Sequence, residues 1–270
     1  MPDKRISFDR VSEIYDATRA MPPEMEGEVI DRLIEIGGIE PHSRVLELGI
    51  GTGRIAGPLS HKVQSRYYGI DISLKMMKKI SGKVRGHTVP VCADTRRLPF
   101  GKMSFDAVLA IHVLHLVENW SCAIDEAIRV MTPGGVIVIG GEAGDRRSMV
   151  ERLFAGLEPA AKRKISAAAE KLDAGGGPPG VLLLDQAAQY LRKKGASLTY
   201  PPPVEHEIRT PIPTVLNFFK ERSFQFLWEV PDDILEEVLS GITSVLEDTY
   251  GDLNKDIGVL RKFSFLRAAL

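Results

Sequence analysis

The sequence predicts an α/β fold, a doubly wound and mostly parallel sheet with helices on both faces. Three observations carry that reading. Short, almost continuously apolar runs alternate with amphipathic segments, the pattern of strands buried on both sides by crossover helices. A glycine-rich turn joins the first run to the helix after it, at the strand end where such sheets bind ligands. The length of 270 residues suits one large α/β domain, or one domain with a lid.

Each element follows from local pattern. Residues 8–36 read as two helices, because Ile14, Ala17 and Met21, then Val29, Leu33 and Ile36, recur at three- and four-residue steps. Pro22-Pro23 separates them and Gly37-Gly38 ends the second. Ser43–Leu48 is a buried strand, Gly49–Gly53 a tight turn and Arg54–His61 a helix. Arg66–Ile70 is the second strand, and Ser73–Val84 a helix with Met76, Met77 and Ile80 inward. Thr88–Ala93 and Phe105–Ile111 are the third and fourth strands, and Trp120–Met131 the helix that follows. Val136–Gly140 is a fifth strand, introduced by the turn Pro133-Gly134-Gly135.

The second half is less regular. Residues 145–172 read as helical, and Gly175–Gly180 breaks the chain. Leu182–Lys194 is a helix ended by Gly195. Ala196–Thr210 alternates like a strand but contains Pro201-Pro202-Pro203, which a paired strand does not tolerate. Pro213–Ser223 and Asp232–Tyr250 read as helices, and Gly258–Ala268 as an edge or terminal strand.

Composition excludes several classes. The formal net charge of −1 argues against a strongly basic nucleic-acid binder. Cys92 and Cys122 have no metal-ligand spacing and are too few for a disulfide scaffold, which favours a reducing, cytoplasmic compartment. Met1–Arg10 holds no apolar signal-peptide core, and no apolar run reaches the ~18 residues of a membrane span. Lys162-Arg163-Lys164 and Arg192-Lys193-Lys194 read as solvated helix faces.

The chemistry centres on Glu47-Leu48-Gly49-Ile50-Gly51-Thr52-Gly53. Alternate glycines serve where φ is positive or a ligand approaches the backbone. The spacing is GxGxG, not the dinucleotide GxGxxG, and no Gly-Lys-Ser/Thr of a phosphate loop follows. Instead, carboxylates stand at three successive strand ends: Glu47, Asp71 and Asp94. Three acids repel a pyrophosphate but suit a ligand that offers hydroxyls, an ammonium and an aromatic amine.

VLELGIGTGRIAGPL, YYGIDISLKMM, VCADTRRLPF, FDAVLAIHVLHLVENW and RVMTPGGVIVIGGE follow in that order over about residues 40–142. Together they resemble a class I S-adenosylmethionine-dependent methyltransferase, most similar to the ubiquinone/menaquinone-biosynthesis-type group and its small-molecule relatives. FDRVSEIYDATRAMPPE resembles the N-terminal helix of bacterial members. The resemblance implies a Rossmann-like sheet of seven strands, with the last inserted antiparallel beside the sixth. It implies a helical lid at 1–40 and a cofactor-binding core at 41–142. Residues 143–270 then complete the same domain with helical insertions that cap the acceptor site and with the last two strands.

The resemblance also implies site roles. Gly49, Gly51 and Gly53 let the methionine part of S-adenosylmethionine lie on the loop, and Glu47 orients the loop or meets the ammonium. Asp71 accepts from both ribose hydroxyls, while Ile72 and Met76 pack on the adenine or ribose. Asp94, with the Thr95 backbone, recognises the adenine amine. Ile111 and His112 sit near the methyl group, and Tyr15 and Arg19 close over the cofactor. The product is S-adenosylhomocysteine.

A general base is needed only where the acceptor must lose a proton; His115 and His112 are the candidates, with Glu142 behind them. No metal site is expected, since no cysteine completes a zinc set with these histidines. Ala110-Ile111-His112-Val113 stands where amino-methyltransferases carry Asn/Asp-Pro-Pro-Tyr/Phe, which lowers adenine, cytosine and glutamine amide as acceptors. Residues 143–195 and 211–257 are the expected seat of acceptor specificity. The aromatic segment Phe218, Phe219, Phe224, Phe226 and Trp228 either lines an apolar pocket or forms core. The expected partner is a small-molecule acceptor, with an RNA or protein methyltransferase and a non-catalytic cofactor-binding protein as alternatives. The chain is a monomer or a homodimer.

Overall fold

The structure is a computed structural model that describes residues 21–142, 146–175, 182–223, 227 and 230–270. The first predicted helix, with Tyr15 and Arg19, lies outside them, as do Phe224, Phe226 and Trp228. The described chain forms two compact units. One holds the residues up to Glu142 with Leu183–Val204 and Phe263–Leu270; the other holds those between 143 and 182 with Glu205–Lys262.

In the first unit, α1 (Pro23–Gly37) starts on proline and ends where Gly38 takes φ +57°, the left-handed stop that glycine permits. Its buried face is Met25, Val29, Leu33 and Ile36. Then follow β1 (Val45–Leu48), α2 (Ala56–Ser60), β2 (Tyr67–Asp71), α3 (Leu74–Met77), β3 (Thr88–Cys92), β4 (Phe105–Ile111), α4 (Trp120–Val130) and β5 (Met131–Gly141). The helix predicted to reach Val84 is capped by Ser73 Oγ, which accepts the Met76 N–H at 3.1 Å. It passes into a 3-10 turn at Lys78–Ile80, and the positive φ of Gly82 stops it short. After α7 (Leu182–Lys193, numbered past the two helices below), β6 (Ser197–Thr199) and β7 (Val204–Pro211) flank the triple proline. That proline run is why the single predicted strand is two.

The sheet order is β3-β2-β1-β4-β5-β8-β6, where β8 is Asp256–Ala269. Pairing is parallel from β3 through β5, and β8 is antiparallel to both β5 and β6. This path has the seven-strand order the resemblance implies, and β7, which pairs with β8, adds an eighth strand. The last strand is not at an edge, however. Phe263 and Phe265 enter one core and Leu266 and Ala268 the other, so β8 is buried on both faces. The start of β5 also differs from prediction. Phe105 pairs with Met131 and Ala107 with Val136, so Pro133-Gly134-Gly135 is a bulge inside the strand and not a turn before it.

Alternate strand residues feed two cores. Val45, Tyr67, Ala107 and Val138 face α1 and α2, while Leu46, Ile70, Val108 and Ile139 face α4 and α7. That is the doubly wound architecture, and it brings the carboxyl ends of β1–β4 together at one rim.

The second unit contains α5 (Arg146–Leu153), α6 (Pro159–Ala169), a 3-10 turn (Glu170–Gly175), α8 (Ile212–Lys220) and α9 (Asp232–Tyr250). The predicted helical stretch 145–172 is therefore interrupted between Leu153 and Pro159, the proline that starts α6. Its core holds Phe154, Ile165, Leu172, Phe219, Val238, Ile242 and Leu246. Phe219 is fully buried and stacks on Phe154 with ring centroids 6.3 Å apart, so this member of the aromatic segment is core.

Candidate active site

The ends of β1–β4 open onto one cleft, at the strand ends where doubly wound sheets bind ligands. Its floor is the loop after β1, where Gly49, Gly51 and Gly53 all take positive φ, at +72°, +53° and +81°. A side chain at Gly49 would place Cβ 2.7 Å from Val113 Cβ. The loop is tied to β2: the Ile50 N–H donates to Ile70 O at 2.9 Å, and the Gly51 N–H to Asp71 Oδ2 at 2.9 Å. Asp71 Oδ1 also accepts the Ser73 N–H at 2.8 Å. One carboxylate thus joins the glycine loop to the start of α3.

Glu47 is 2% exposed, and the Tyr67 hydroxyl donates to its Oε2 at 2.8 Å. The sheet register explains the pair. Glu47 lies opposite Gly69, so Tyr67, two residues back on β2, points to the same face. Burial pushes the Glu47 carboxyl up to about 8; the Tyr67 hydrogen bond and the charge of Arg54 oppose that rise, and Asp71 adds to it. Tyr67 is itself held well above the usual phenol value, by burial and by Glu47.

Asp94 is gripped by its neighbour. Arg96 Nη2 donates to Oδ2 at 2.7 Å, Arg96 Nε reaches both oxygens at 3.1 Å, and the Arg96 backbone N–H donates to Oδ1 at 2.9 Å. Arg96 Nη1 also reaches Glu118 O at 3.5 Å. Thr95 is buried beside them.

His112 caps β4 with φ +53°, a left-handed conformation uncommon outside glycine and often found at functional sites. Its Nε2 accepts the Glu142 N–H at 3.3 Å, and its ring meets Phe263 edge-on at 5.3 Å.

Of the sequence-predicted residues, Glu47, Gly49, Gly51, Asp71, Ile72, Met76, Asp94, Thr95, Ile111 and His112 line this cleft. Gly53 and His115 do not; Gly53 packs towards Ile80 and Val84, and His115 sits in the 3-10 turn Leu114–Leu116. Sequence reasoning passed over Arg54, Arg96, Val113 and Glu118 as lining residues. Arg96 had a local signal, its two-residue spacing from Asp94. Tyr67 had a subtler one: an acid in a continuously buried strand needs a donor from the neighbouring strand. Among the described residues, no group of three metal-ligating side chains occurs, and no helix is long and apolar enough to cross a membrane.

Residues 46–139 match the family described as a methyltransferase domain. Uncharacterized protein MJ1123 of Methanocaldococcus jannaschii is 39% identical over 150 residues, covering 54% of this chain and 65% of that protein. The malonyl-[acyl-carrier protein] O-methyltransferase of Methylovorus sp. is 32% identical over 145 residues, covering 50% and 48%. The chain thus spans about half to two thirds of these relatives' lengths. Among solved structures, phosphoethanolamine N-methyltransferase 2 of Haemonchus contortus, in complex with phosphomonomethylethanolamine and S-adenosylhomocysteine, superposes with a TM-score of 0.54 at 14% identity, covering 97% of this chain and 57% of that one. At that identity the likeness is one of fold.

Proposed function

We propose, from a chain whose residues 46–139 form a methyltransferase domain, that this protein transfers a methyl group from S-adenosylmethionine to a small molecule. One observation carries the reading: three strand-end acids, Glu47, Asp71 and Asp94, converge with a glycine loop on one cleft. That donor set fits the cofactor. Asp71, held at the cleft by the Gly51 and Ser73 amides, is assigned to the two ribose hydroxyls, for which a carboxylate is the acceptor. Ile72, 42% exposed at the cleft, and Met76 offer apolar surface to the adenine. Asp94 accepts the adenine amine while Arg96, paired with it, orients the carboxylate. Glu47 faces the ammonium, and Tyr15 and Arg19 are assigned to closure over the cofactor.

The cofactor supplies an activated methyl group; the protein supplies binding, orientation and exclusion of water. Where the acceptor must lose a proton, we assign that role to His112, which lines the cleft. The O- and N-methyltransferases above differ in acceptor, so the cofactor cleft does not identify the acceptor of this chain. The balanced charge favours a small molecule over nucleic acid, and a cytoplasmic location follows from the cysteine usage.

Calorimetric titration with S-adenosylhomocysteine, with NAD as control, tests the reading. Micromolar binding of the first alone is expected. No binding to a protein shown folded by circular dichroism overturns it.

A further inference from the structure

The Glu47–Tyr67 pair carries a consequence for ligand binding. Glu47 is a carboxyl only 2% exposed, at the wall of the cleft, and it accepts a hydrogen bond from the neutral Tyr67 phenol at 2.8 Å. Burial favours the protonated form of such an acid, and the hydrogen bond donated by the phenol offsets that only in part. The charged and titratable groups that act on it are Tyr67 from β2, Arg54 from the turn after the glycine loop and Asp71 from the end of β2. Arg54 favours ionisation, Asp71 opposes it, and burial outweighs both. Tyr67 keeps its own proton through the neutral range, because burial and Glu47 raise it. In the ligand-free protein, then, this acid holds a proton where the strand-end pattern suggests a charge.

We propose that binding of the cofactor's ammonium is coupled to release of the Glu47 proton, with Tyr67 as the positioning residue whose hydroxyl supports the ionised form. The proposal rests on the methyltransferase reading above. An ammonium brought against Glu47 stabilises the carboxylate, the proton leaves to solvent, and the Tyr67 O–H remains the donor to Oε2. Tyr67 touches neither ligand nor reacting atoms in this scheme; it acts through Glu47.

The test begins with the unmodified protein, so no variant has to fold. S-adenosylhomocysteine is titrated at pH 7 in buffers of different ionisation enthalpy, which reads the protons released. With a group titrating near 8, close to one proton per ligand is expected at pH 7. The affinity should rise close to tenfold per pH unit from pH 6 to 7 and level off towards pH 8. 5′-Methylthioadenosine, which lacks the amino-acid end, should release none. Glu47→Gln should abolish the pH slope. Tyr67→Phe removes a bond that favours ionisation, so its affinity profile should move to higher pH, with a loss at pH 7 that shrinks by pH 8.5.

A loss in Tyr67→Phe that is equal at every pH would mark a purely structural role and overturn the assignment of Tyr67. Tight S-adenosylhomocysteine binding with no proton release would overturn the coupling and leave the methyltransferase reading intact. No binding of either nucleoside at any pH would overturn both.

Discussion

Removing the Asp71 carboxylate separates two jobs the structure gives to one side chain. In the free protein Asp71 is a strut, accepting the Gly51 N–H at 2.9 Å and the Ser73 N–H at 2.8 Å. Under the proposed function it also receives both ribose hydroxyls. For Asp71→Ala the strut term is about 2 kcal/mol, taking ~1 kcal/mol for each half-exposed amide bond. That lowers the melting temperature by roughly 4–8 °C for a domain of this size. The ribose term is two charge-assisted bonds of ~1.5 kcal/mol or more each, or about 100-fold in Kd. Differential scanning fluorimetry reads the first and calorimetry with S-adenosylhomocysteine the second. A 2′,3′-dideoxy analogue closes the cycle: it should bind wild type about as weakly as the natural ligand binds the variant, and lose little more in the variant. A lower melting temperature with Kd unchanged within threefold would make Asp71 a loop strut alone and refute the ribose assignment.

Four further outcomes are expected. Gly69→Ala would set a methyl 2.7 Å from Ile50 Cβ and should destabilise by about 1–3 kcal/mol, with weaker S-adenosylhomocysteine binding because Ile50 belongs to the glycine loop; urea unfolding and calorimetry check it. Ile242→Ala, at a fully buried site of α9, should cost about 2–5 kcal/mol in urea unfolding and leave Asp71-dependent binding in place. Burial raises the Glu47 carboxyl to about 8 when folded against ~4.3 unfolded, so its contribution to stability is full below the unfolded value and is lost as pH rises through 8; the melting temperature should fall from about pH 5 to about pH 8 and level off above it, and Glu47→Gln should flatten that fall. His115→Ala should leave turnover within about threefold, since the side chain stands off the cleft, whereas His112→Ala should lower it for an acceptor that needs deprotonation, as steady-state rates on one acceptor would show.

Legibility in the sequence followed the range of the interactions. β4 and α9 were placed to the residue, because an unbroken apolar run and a proline-to-glycine bounded helix declare their own limits. Errors arose where a distant partner decided the outcome. Pro133-Gly134-Gly135 looks like a turn until β4 pairs on both sides of it and makes it a bulge. Gly258–Ala268 resembles an edge strand until β6, only three residues long, covers its far side. The cleft divides the same way. Gly49, Asp71 and Asp94 are visible as loop chemistry at strand ends, while Tyr67 and Val113 acquire their roles only through register and chain reversal.

The same distinction alters the electrostatic argument. In sequence, Glu47, Asp71 and Asp94 look like three equivalent anions, enough to repel a pyrophosphate. In the structure they are three different groups. Glu47 is nearly buried against a phenol, and burial raises its carboxyl to about 8. Asp94 is matched by the Arg96 guanidinium. Asp71 is wired to two backbone amides, which hold the carboxylate in place. Arg54 adds a positive charge to the lining. The cleft is therefore far less anionic than its composition suggests, and bulk repulsion does not select the ligand. Under the proposed function, selection falls to position: hydroxyls at Asp71, an amine at Asp94 and an ammonium at Glu47, above a GxGxG floor that lacks the third glycine of a dinucleotide loop. For that reason the NAD control and the Asp71 cycle discriminate more sharply than any measure of overall charge.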